Sequence, residues 1–308
     1  ANSSSAFGYF NTAGGLASSA FGWSNTASAE NASAFGYVNE ASGLASSALG
    51  FRNKAANENA SAVGYGNNAG GVASSAFGFS NVAKVDYASA FGYSNEASGL
   101  ASSAVGFRNK AASENASAVG YGNNANALAA SAVGYNNTAG GVGSSTIGYN
   151  NTATNENASA FGYGNTAGGL ASSAFGFSNT ASGDNANAFG YNNIASGSKS
   201  NVFGTGNTVS GSSSNAVGTA NEVAAENSTA IGNNNTISSG AENSAALGNN
   251  ISISLKDSVA LGNNSTATAI NSVTGNSSYT KWAGVSDVVG VVSVGSSGAT
   301  RQIQNVAA

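Results

Sequence analysis

A glycine that follows an apolar residue returns every 14 residues along most of this chain, and no other feature restricts the fold as strongly. After 17 such glycines there is one 16-residue step and then a final 14-residue step, which gives 19 repeats in all. These repeat glycines are Gly8, Gly22, Gly36, Gly50, Gly64, Gly78, Gly92, Gly106, Gly120, Gly134, Gly148, Gly162, Gly176, Gly190, Gly204, Gly218, Gly232, Gly248 and Gly262. A fixed period of this kind predicts a solenoid rather than a conventional globular core.

Fourteen residues are too few for a repeat built from two helices, which needs about 33–47 residues. Glycine at this density also disfavours helix, at roughly 1 kcal/mol per residue. In a segment such as Ser19–Trp23, large and small side chains alternate, as they do on the two faces of a β-strand. A second small apolar position follows at Ala27, after a turn that contains asparagine. Each repeat therefore predicts one coil of two short strands and two turns.

Coils of this kind stack about 4.8 Å apart, so 19 of them would form an all-β parallel roll roughly 90 Å long. Asparagine stands three residues after the repeat glycine in the first 17 repeats, and its side chain suits both turns and ladders of hydrogen bonds along the stack. We therefore interpret these asparagines as structural rather than ligand-binding.

The residue before the repeat glycine is large and apolar, whereas the residue two positions before it is almost always alanine. Either of these faces can point into the roll, and the sequence does not settle which. We favour the large residues as the repeat core, beginning with Phe7, Phe21, Phe35, Leu49, Val63, Phe77 and Phe91. In both orientations an apolar stripe stays exposed on a single roll, which indicates a homo-oligomer with its rolls side by side.

The position eight residues after the repeat glycine has a second period of two coils. Leu16, Leu44, Val72 and Leu100 alternate there with Glu30, Glu58, Asp86 and Glu114. We interpret the acidic residues as solubilising charges.

The residue types that are missing exclude several functions. The chain has no histidine and no cysteine, and hence neither the commonest general base nor thiolate metal ligands. Nine basic residues and a net charge of −4 argue against nucleic acid as a partner. No apolar run reaches the roughly 20 residues of a membrane span. We expect no catalysis, no cofactor and no metal.

The repeats end near residue 268 and a different segment follows. It holds Trp282 and a valine-rich run, and it ends with Arg301-Gln302-Ile303-Gln304-Asn305-Val306. For Trp282 we favour packing between subunits over ligand stacking. For Arg301 we favour an ion pair or a carbonyl contact between chains over a functional cation.

Together these motifs resemble the heads of trimeric autotransporter adhesins, the YadA-like family. Ser19-Ala20-Phe21-Gly22 is similar to the family's head repeat, and the segment from Val292 to Ala307 is similar to its neck. An aromatic residue after the repeat glycine is more usual here than in the family pattern. The resemblance divides the chain into a head roll over 1–268, a tryptophan-containing insert over 269–291 and a neck over 292–308.

The resemblance implies a left-handed roll, a homotrimer, and a place on the bacterial outer membrane facing outward. Trimer and neck contacts would then involve Trp282, Arg301, Gln302, Ile303 and Asn305. The implied function is multivalent adhesion to host matrix proteins, host cells, other bacteria or abiotic surfaces; the alternative is a spacer that projects an adhesive region located elsewhere. A signal peptide, a coiled-coil stalk and a C-terminal membrane anchor would lie outside this chain, which we interpret as an excised head.

Three other classes fit the residues less well. Hexapeptide-repeat acyltransferases have a six-residue period and a catalytic histidine that is absent here. Calcium-binding β-rolls need a recurring aspartate in a nonapeptide, and the four aspartates share no common position. Ice-binding arrays would show a ladder of threonines, which this sequence lacks. Glycosylation triplets occur at the rate expected in so asparagine-rich a chain.

Overall fold

A computed structural model describes residues 3–269 and 289–304, and throughout these residues the chain forms short β-strands joined by turns, with no helix. It divides into two compact units, Ala1–Tyr163 and Gly164–Ala308. The prediction of an all-β parallel solenoid with 14-residue coils is confirmed. Each coil has a long strand and a two-residue short strand joined by turns, and the long strand contains the repeat glycine in all coils but the last, where it ends at Leu261.

In the first unit the long strands pair in parallel with the strand one coil further on, so that Ser19 lies opposite Ser33 and Gly22 opposite Gly36. The long strands are Ser5–Tyr9, Ser19–Trp23, Ser33–Tyr37, Ser47–Phe51, Ser61–Tyr65, Ser75–Phe79, Ser89–Tyr93, Ser103–Phe107, Ser117–Tyr121, Ser131–Tyr135, Ser145–Tyr149 and Ser159–Tyr163. The short strands are Thr12–Ala13, Thr26–Ala27, Glu40–Ala41, Lys54–Ala55, Asn68–Ala69, Val82–Ala83, Glu96–Ala97, Lys110–Ala111, Asn124–Ala125, Thr138–Ala139 and Thr152–Ala153.

The second unit continues the same pattern and absorbs the one 16-residue step in a turn, since Thr229 still pairs with Ala245 and Gly232 with Gly248. Its long strands are Ser173–Phe177, Asn187–Tyr191, Asn201–Thr205, Asn215–Thr219, Thr229–Asn233, Ala245–Asn249 and Val259–Leu261. Its short strands are Thr166–Ala167, Thr180–Ala181, Ile194–Ala195, Thr208–Val209, Glu222–Val223, Thr236–Ile237, Ser252–Ile253 and Thr266–Ala267. A further strand, Val292–Ser293, pairs with Val259 and Ala260.

The inside of the roll is lined mostly by alanine, contrary to our preference for the large residues before the repeat glycine. From the second coil onward, the alanines two residues before and five residues after the repeat glycine are buried, as Ala20 and Ala27 show. The predicted core residues point outward instead: Phe7 is 74% exposed, Phe35, Leu49 and Phe91 are 37% exposed, and Phe21, Val63 and Phe77 are half-buried. A coil of 14 residues encloses too narrow a space for phenylalanine, because protein interiors are packed to crystal-like density.

A ladder of buried asparagines stiffens one corner of the roll. Asn25 donates from its side-chain Nδ2 to the Oδ1 of Asn11 one coil earlier at 2.9 Å, and to the carbonyls of Phe21 at 2.9 Å and Gly36 at 2.7 Å. Its own Oδ1 accepts from the backbone N–H and the side chain of Asn39 in the next coil. The structural interpretation of these asparagines is thus confirmed, and each one satisfies polar groups that would be costly to bury unpaired.

The repeat glycine is required by close contact as well as by backbone angle. Gly22 has φ of 117°, a conformation open to glycine and strained for other residues. A Cβ at this position would lie 2.1 Å from the carbonyl oxygen of Gly36 in the next coil. In Gly8 to Gly148 and again in Gly176 to Gly232, the repeat glycine therefore lets two neighbouring coils approach at the corner beside the asparagine ladder.

The two-coil period has a related cause. In coils that carry an exposed leucine, the residue before it is usually glycine, and a Cβ on Gly43 would lie 1.9 Å from the carbonyl of Asn57 in the next coil. The buried Ser46 then accepts from the Gly43 N–H at 3.1 Å. In the intervening acidic coils the residue before the acidic one is usually larger than glycine, as Asn57 before Glu58 shows, and buried Ala60 takes the place of the serine. The turn glycine of one coil thus lies directly against the backbone of the acidic coil that follows.

Candidate interaction surface

In each unit the outer face of the long-strand sheet carries an apolar column that a single chain leaves in solvent. We call it the pre-glycine column; it is formed by the residue before each repeat glycine, from Phe7 to Leu261. Its members are half-buried or exposed, and Ile147, Phe203 and Leu247 are exposed by 44%, 44% and 52%. An exposed apolar stripe that extends over several coils marks an interaction surface.

Beside it runs a second column, the aromatic ladder, formed by the residue after each repeat glycine from Tyr9 to Tyr191. From Tyr37 to Tyr163 the rings of neighbouring coils stack with centroids 4.7–4.9 Å apart and planes within 8° of each other. In the second unit Phe177 and Tyr191 stack at 5.3 Å. These rings therefore pack against one another between neighbouring coils.

The stacking determines what the ladder can offer to a partner. Each ring covers the face of the next, so the ring edges and the tyrosine hydroxyls remain in solvent, with Tyr65 43% exposed. Two guanidinium groups flank the ladder: the Cζ of Arg52 lies 5.2 Å from the Phe51 ring centroid and that of Arg108 lies 5.1 Å from Phe107. The arrangement is amphipathic and carries few charges.

The turn eight residues after the repeat glycine forms a striped edge, in which exposed leucines alternate with exposed acidic residues from coil to coil. Leu16, Leu44 and Leu100 are exposed by 48%, 43% and 44%, and the acidic residues of the intervening coils are exposed as well. Ion pairing is sparse among the described residues; Lys54 and Glu40, both about half exposed, meet at 3.3 Å. A pair as exposed as this contributes little to stability.

The five residues predicted for trimer and neck contacts are only partly described. Trp282 and Asn305 lie outside the described residues. Gln302 is exposed, and Ile303 is 63% exposed. Arg301 donates to Ser265 Oγ at 3.1 Å, to the Val294 carbonyl at 2.8 Å and to the Asn263 carbonyl. Arg301 therefore contacts backbone carbonyls, as one of our alternatives proposed, but these carbonyls belong to its own chain. The contacts lie beside the last coil.

The part of the chain that the structure describes holds neither a candidate metal site nor a candidate membrane-spanning helix. In residues 3–269 and 289–304 no cluster of three or more acidic side chains is suited to hold a metal ion. Over the same residues no helix has the length and apolar character to span a membrane.

Sequence reasoning missed the close contact at the repeat glycine, although the strict recurrence of glycine was its signal. It also missed that Arg301 reaches back to Asn263, 38 residues earlier, for which no local pattern exists. The sequence shows that tyrosine and phenylalanine alternate in the aromatic ladder. Only the structure shows that these rings stack on one another from coil to coil.

The fold and its outward columns define a class: a parallel β-solenoid with a glycine-containing 14-residue coil and apolar side chains on its outer face. A family model of the YadA head domain repeat matches residues 13–38, 41–67, 69–95, 97–123, 139–165, 167–193, 210–235 and 256–273. The chain therefore belongs to the family of YadA-like adhesin heads, a non-enzymatic kind of protein. Comparison of the whole chain with curated proteins gives no match.

Proposed function

We propose that this chain is the non-catalytic, adhesive head of a trimeric autotransporter, carried on the outer membrane with its surface facing outward. Family membership supports this proposal, and the repetition of one outer surface carries it. Every coil repeats the same outward positions at the spacing of one coil, about 4.8 Å. A partner that binds one coil weakly can bind many coils at once.

Three copies would pack through the pre-glycine column. That column stays apolar in every repeat, including the last coils, where the neighbouring column turns to Thr205, Thr219 and Asn233. Burial of apolar surface contributes about 25 cal/mol per Å², and parallel rolls place identical coils at the same height around a three-fold axis. The homotrimer also brings three C-terminal segments together, where contacts of Trp282, Gln302, Ile303 and Asn305 would form.

Adhesion would follow from the surface that the trimer leaves outside. The striped edge of leucines and acidic residues and the edges of the aromatic ladder repeat along each roll, so weak contacts add through a high effective concentration. Because the net charge is only −4, the chain exerts little long-range electrostatic attraction or repulsion on a partner, which suits contact with varied targets. We propose extracellular matrix proteins, host cells, other bacteria and abiotic surfaces as those targets.

Sedimentation equilibrium of the full chain tests the assembly. We expect the mass of three 29.7 kDa chains at all loading concentrations. A stable monomer would overturn the trimer and, with it, the role of the pre-glycine column.

A binding panel tests adhesion separately. The full chain is applied to immobilised matrix proteins, host cells, bacterial cells and bare plastic, with albumin-blocked plastic as the control. Retention that rises more steeply than in proportion to chain density indicates multivalent binding. Retention on no surface would leave the chain as a spacer for an adhesive region elsewhere.

A further inference from the structure

Four neighbouring positions of the aromatic ladder are all tyrosine. Tyr121, Tyr135, Tyr149 and Tyr163 stack with ring centroids 4.7, 4.8 and 4.8 Å apart and with planes within 5° of each other. Their exposed fractions are 42%, 42%, 43% and 46%. The phenol groups of this tyrosine run are thus in contact with one another and open to solvent.

Elsewhere in the ladder a tyrosine has no tyrosine neighbour. From Tyr37 to Tyr121 tyrosine and phenylalanine alternate, so Tyr65 stacks between Phe51 and Phe79 at 4.7 Å on each side. Tyr65 is 43% exposed, which equals the exposure of Tyr149. The rings of the two segments stack at nearly the same distances and are exposed to nearly the same degree, and along the ladder the segments differ in which rings carry a hydroxyl group.

We propose that the tyrosine run is an oxidative cross-linking site, at which neighbouring coils of one chain become joined through dityrosine. The co-reactant is a one-electron oxidant of the kind a haem peroxidase makes from hydrogen peroxide. Each of two adjacent phenols loses one electron and one proton to become a tyrosyl radical. A carbon–carbon bond then forms between one ring carbon ortho to the hydroxyl position in each tyrosine. The hydrogen on each of these carbons moves through water to the phenol oxygen of its own ring. The two electrons and two protons reduce one hydrogen peroxide to two waters.

Proximity favours this product over coupling between chains. The reacting rings are held side by side by backbone pairing of Tyr121 with Tyr135 and Tyr135 with Tyr149. Reactants held in this way behave as if at a concentration far above that in free solution. The phenylalanine-flanked tyrosines form the same radical but lack a phenol in the neighbouring coil, so the cross-link is confined to the run.

The chain supplies its own control through the positions of its basic residues. Trypsin cuts after Lys110 and Lys199 and releases residues 111–199, which contain the whole tyrosine run. Residues 55–84 form a separate peptide that contains Tyr65 alone. The full chain is treated with peroxidase and hydrogen peroxide, then denatured and digested, and the peptides are read by dityrosine fluorescence and by mass. We expect peptide 111–199 to lose two hydrogens for each cross-link formed and to exceed every other peptide in fluorescence by at least about tenfold.

Two variants keep every ring in place and change only hydroxyl groups. Tyr135→Phe with Tyr149→Phe removes all adjacent tyrosine pairs and should abolish the signal of peptide 111–199. Phe79→Tyr places a tyrosine between Tyr65 and Tyr93 and should create a signal in peptide 55–84. The proposal is overturned if the double variant keeps its fluorescence, if wild type forms none while free tyrosine couples in the same mixture, or if linked chains of doubled mass dominate a denaturing gel.

Discussion

The coils of residues 3–163 and those of residues 200–267 follow the same glycine register, yet they place their apolar material differently. In the first region every buried apolar side chain is alanine, and the aromatic ladder lies outside. In the second region the interior holds Val202, Val209, Val223, Ile237, Ile251 and Ile253. There the ladder position has become Thr205, Thr219, Asn233 and Asn249.

The difference shows two ways to hold neighbouring coils together. Where the interior offers only methyl groups, stacked rings outside supply the missing contact area between coils. Where branched side chains fill the interior, the outer position is free to be polar. The glycine contact is common to both regions, since a Cβ on Gly218 would lie 1.9 Å from the Gly232 carbonyl.

The largest effect on stability should come from the repeat glycine, whose close contact both regions share. Gly92→Ala places a Cβ 2.1 Å from the Gly106 carbonyl at φ of 115°, and we expect a loss of about 4 kcal/mol in the free energy of unfolding. The control Gly66→Ala has φ of 63° and only Ser80 Oγ near, at 3.6 Å, so it should cost about 1 kcal/mol. Urea unfolding followed by circular dichroism measures both, and equal losses would contradict the close-contact argument.

Exchanging interior residues between the two regions should have the next largest effect on the free energy of unfolding. Ile237→Ala removes a fully buried side chain and should cost about 3 kcal/mol through the cavity it leaves. Ala97→Ile, at the corresponding position of the first region, should cost about 2 kcal/mol through overpacking. Ile194→Ala serves as the control, because Ile194 is 42% exposed. If Ala97→Ile stabilises the chain, the first region has room inside and the comparison fails.

Exchanging the outer residues should have a smaller effect on stability, and this effect should be larger in the first region than in the second. Tyr93→Thr removes stacking on Phe79 and Phe107, at 4.9 and 4.8 Å, and should cost about 2 kcal/mol. Thr219→Tyr adds a ring between Thr205 and Asn233, where no aromatic neighbour exists in the ladder, and should change stability by less than about 0.5 kcal/mol. Hydrogen exchange of the amides in each coil locates the effect; similar protection changes in both variants would argue against a structural role for the ladder.

The smallest effect concerns a strained turn of the first region. Val38 has φ of 57°, a left-handed conformation that disfavours a β-branched residue. Gly66 occupies the equivalent position two coils later with φ of 63°. We expect Val38→Gly to raise the free energy of unfolding by about 1 kcal/mol. Ser94→Gly, at an equivalent position with a smaller side chain, is the comparison variant, and a loss of stability in Val38→Gly would show that Val38 makes compensating contacts.

The sequence determined the period, the two strands per coil and the asparagine ladder, because each depends on residues that recur at fixed spacing. It left the orientation of the strand open, since Ala20 and Phe21 alternate equally well in either direction. The size of a 14-residue coil decides that orientation, and our preference did not take it into account. The contact of Arg301 with Asn263 depends on how the chain returns to the last coil, which no repeat encodes.

The most direct test of the inward alanines and outward aromatics uses the absence of native cysteine. Single thiols are introduced as Ala90→Cys and Phe91→Cys, neighbours in one long strand. Under native conditions we expect Phe91→Cys to react with a maleimide or to join two chains through a disulfide, whereas Ala90→Cys reacts only after unfolding in urea. A protected thiol in Phe91→Cys together with a reactive one in Ala90→Cys would contradict this account.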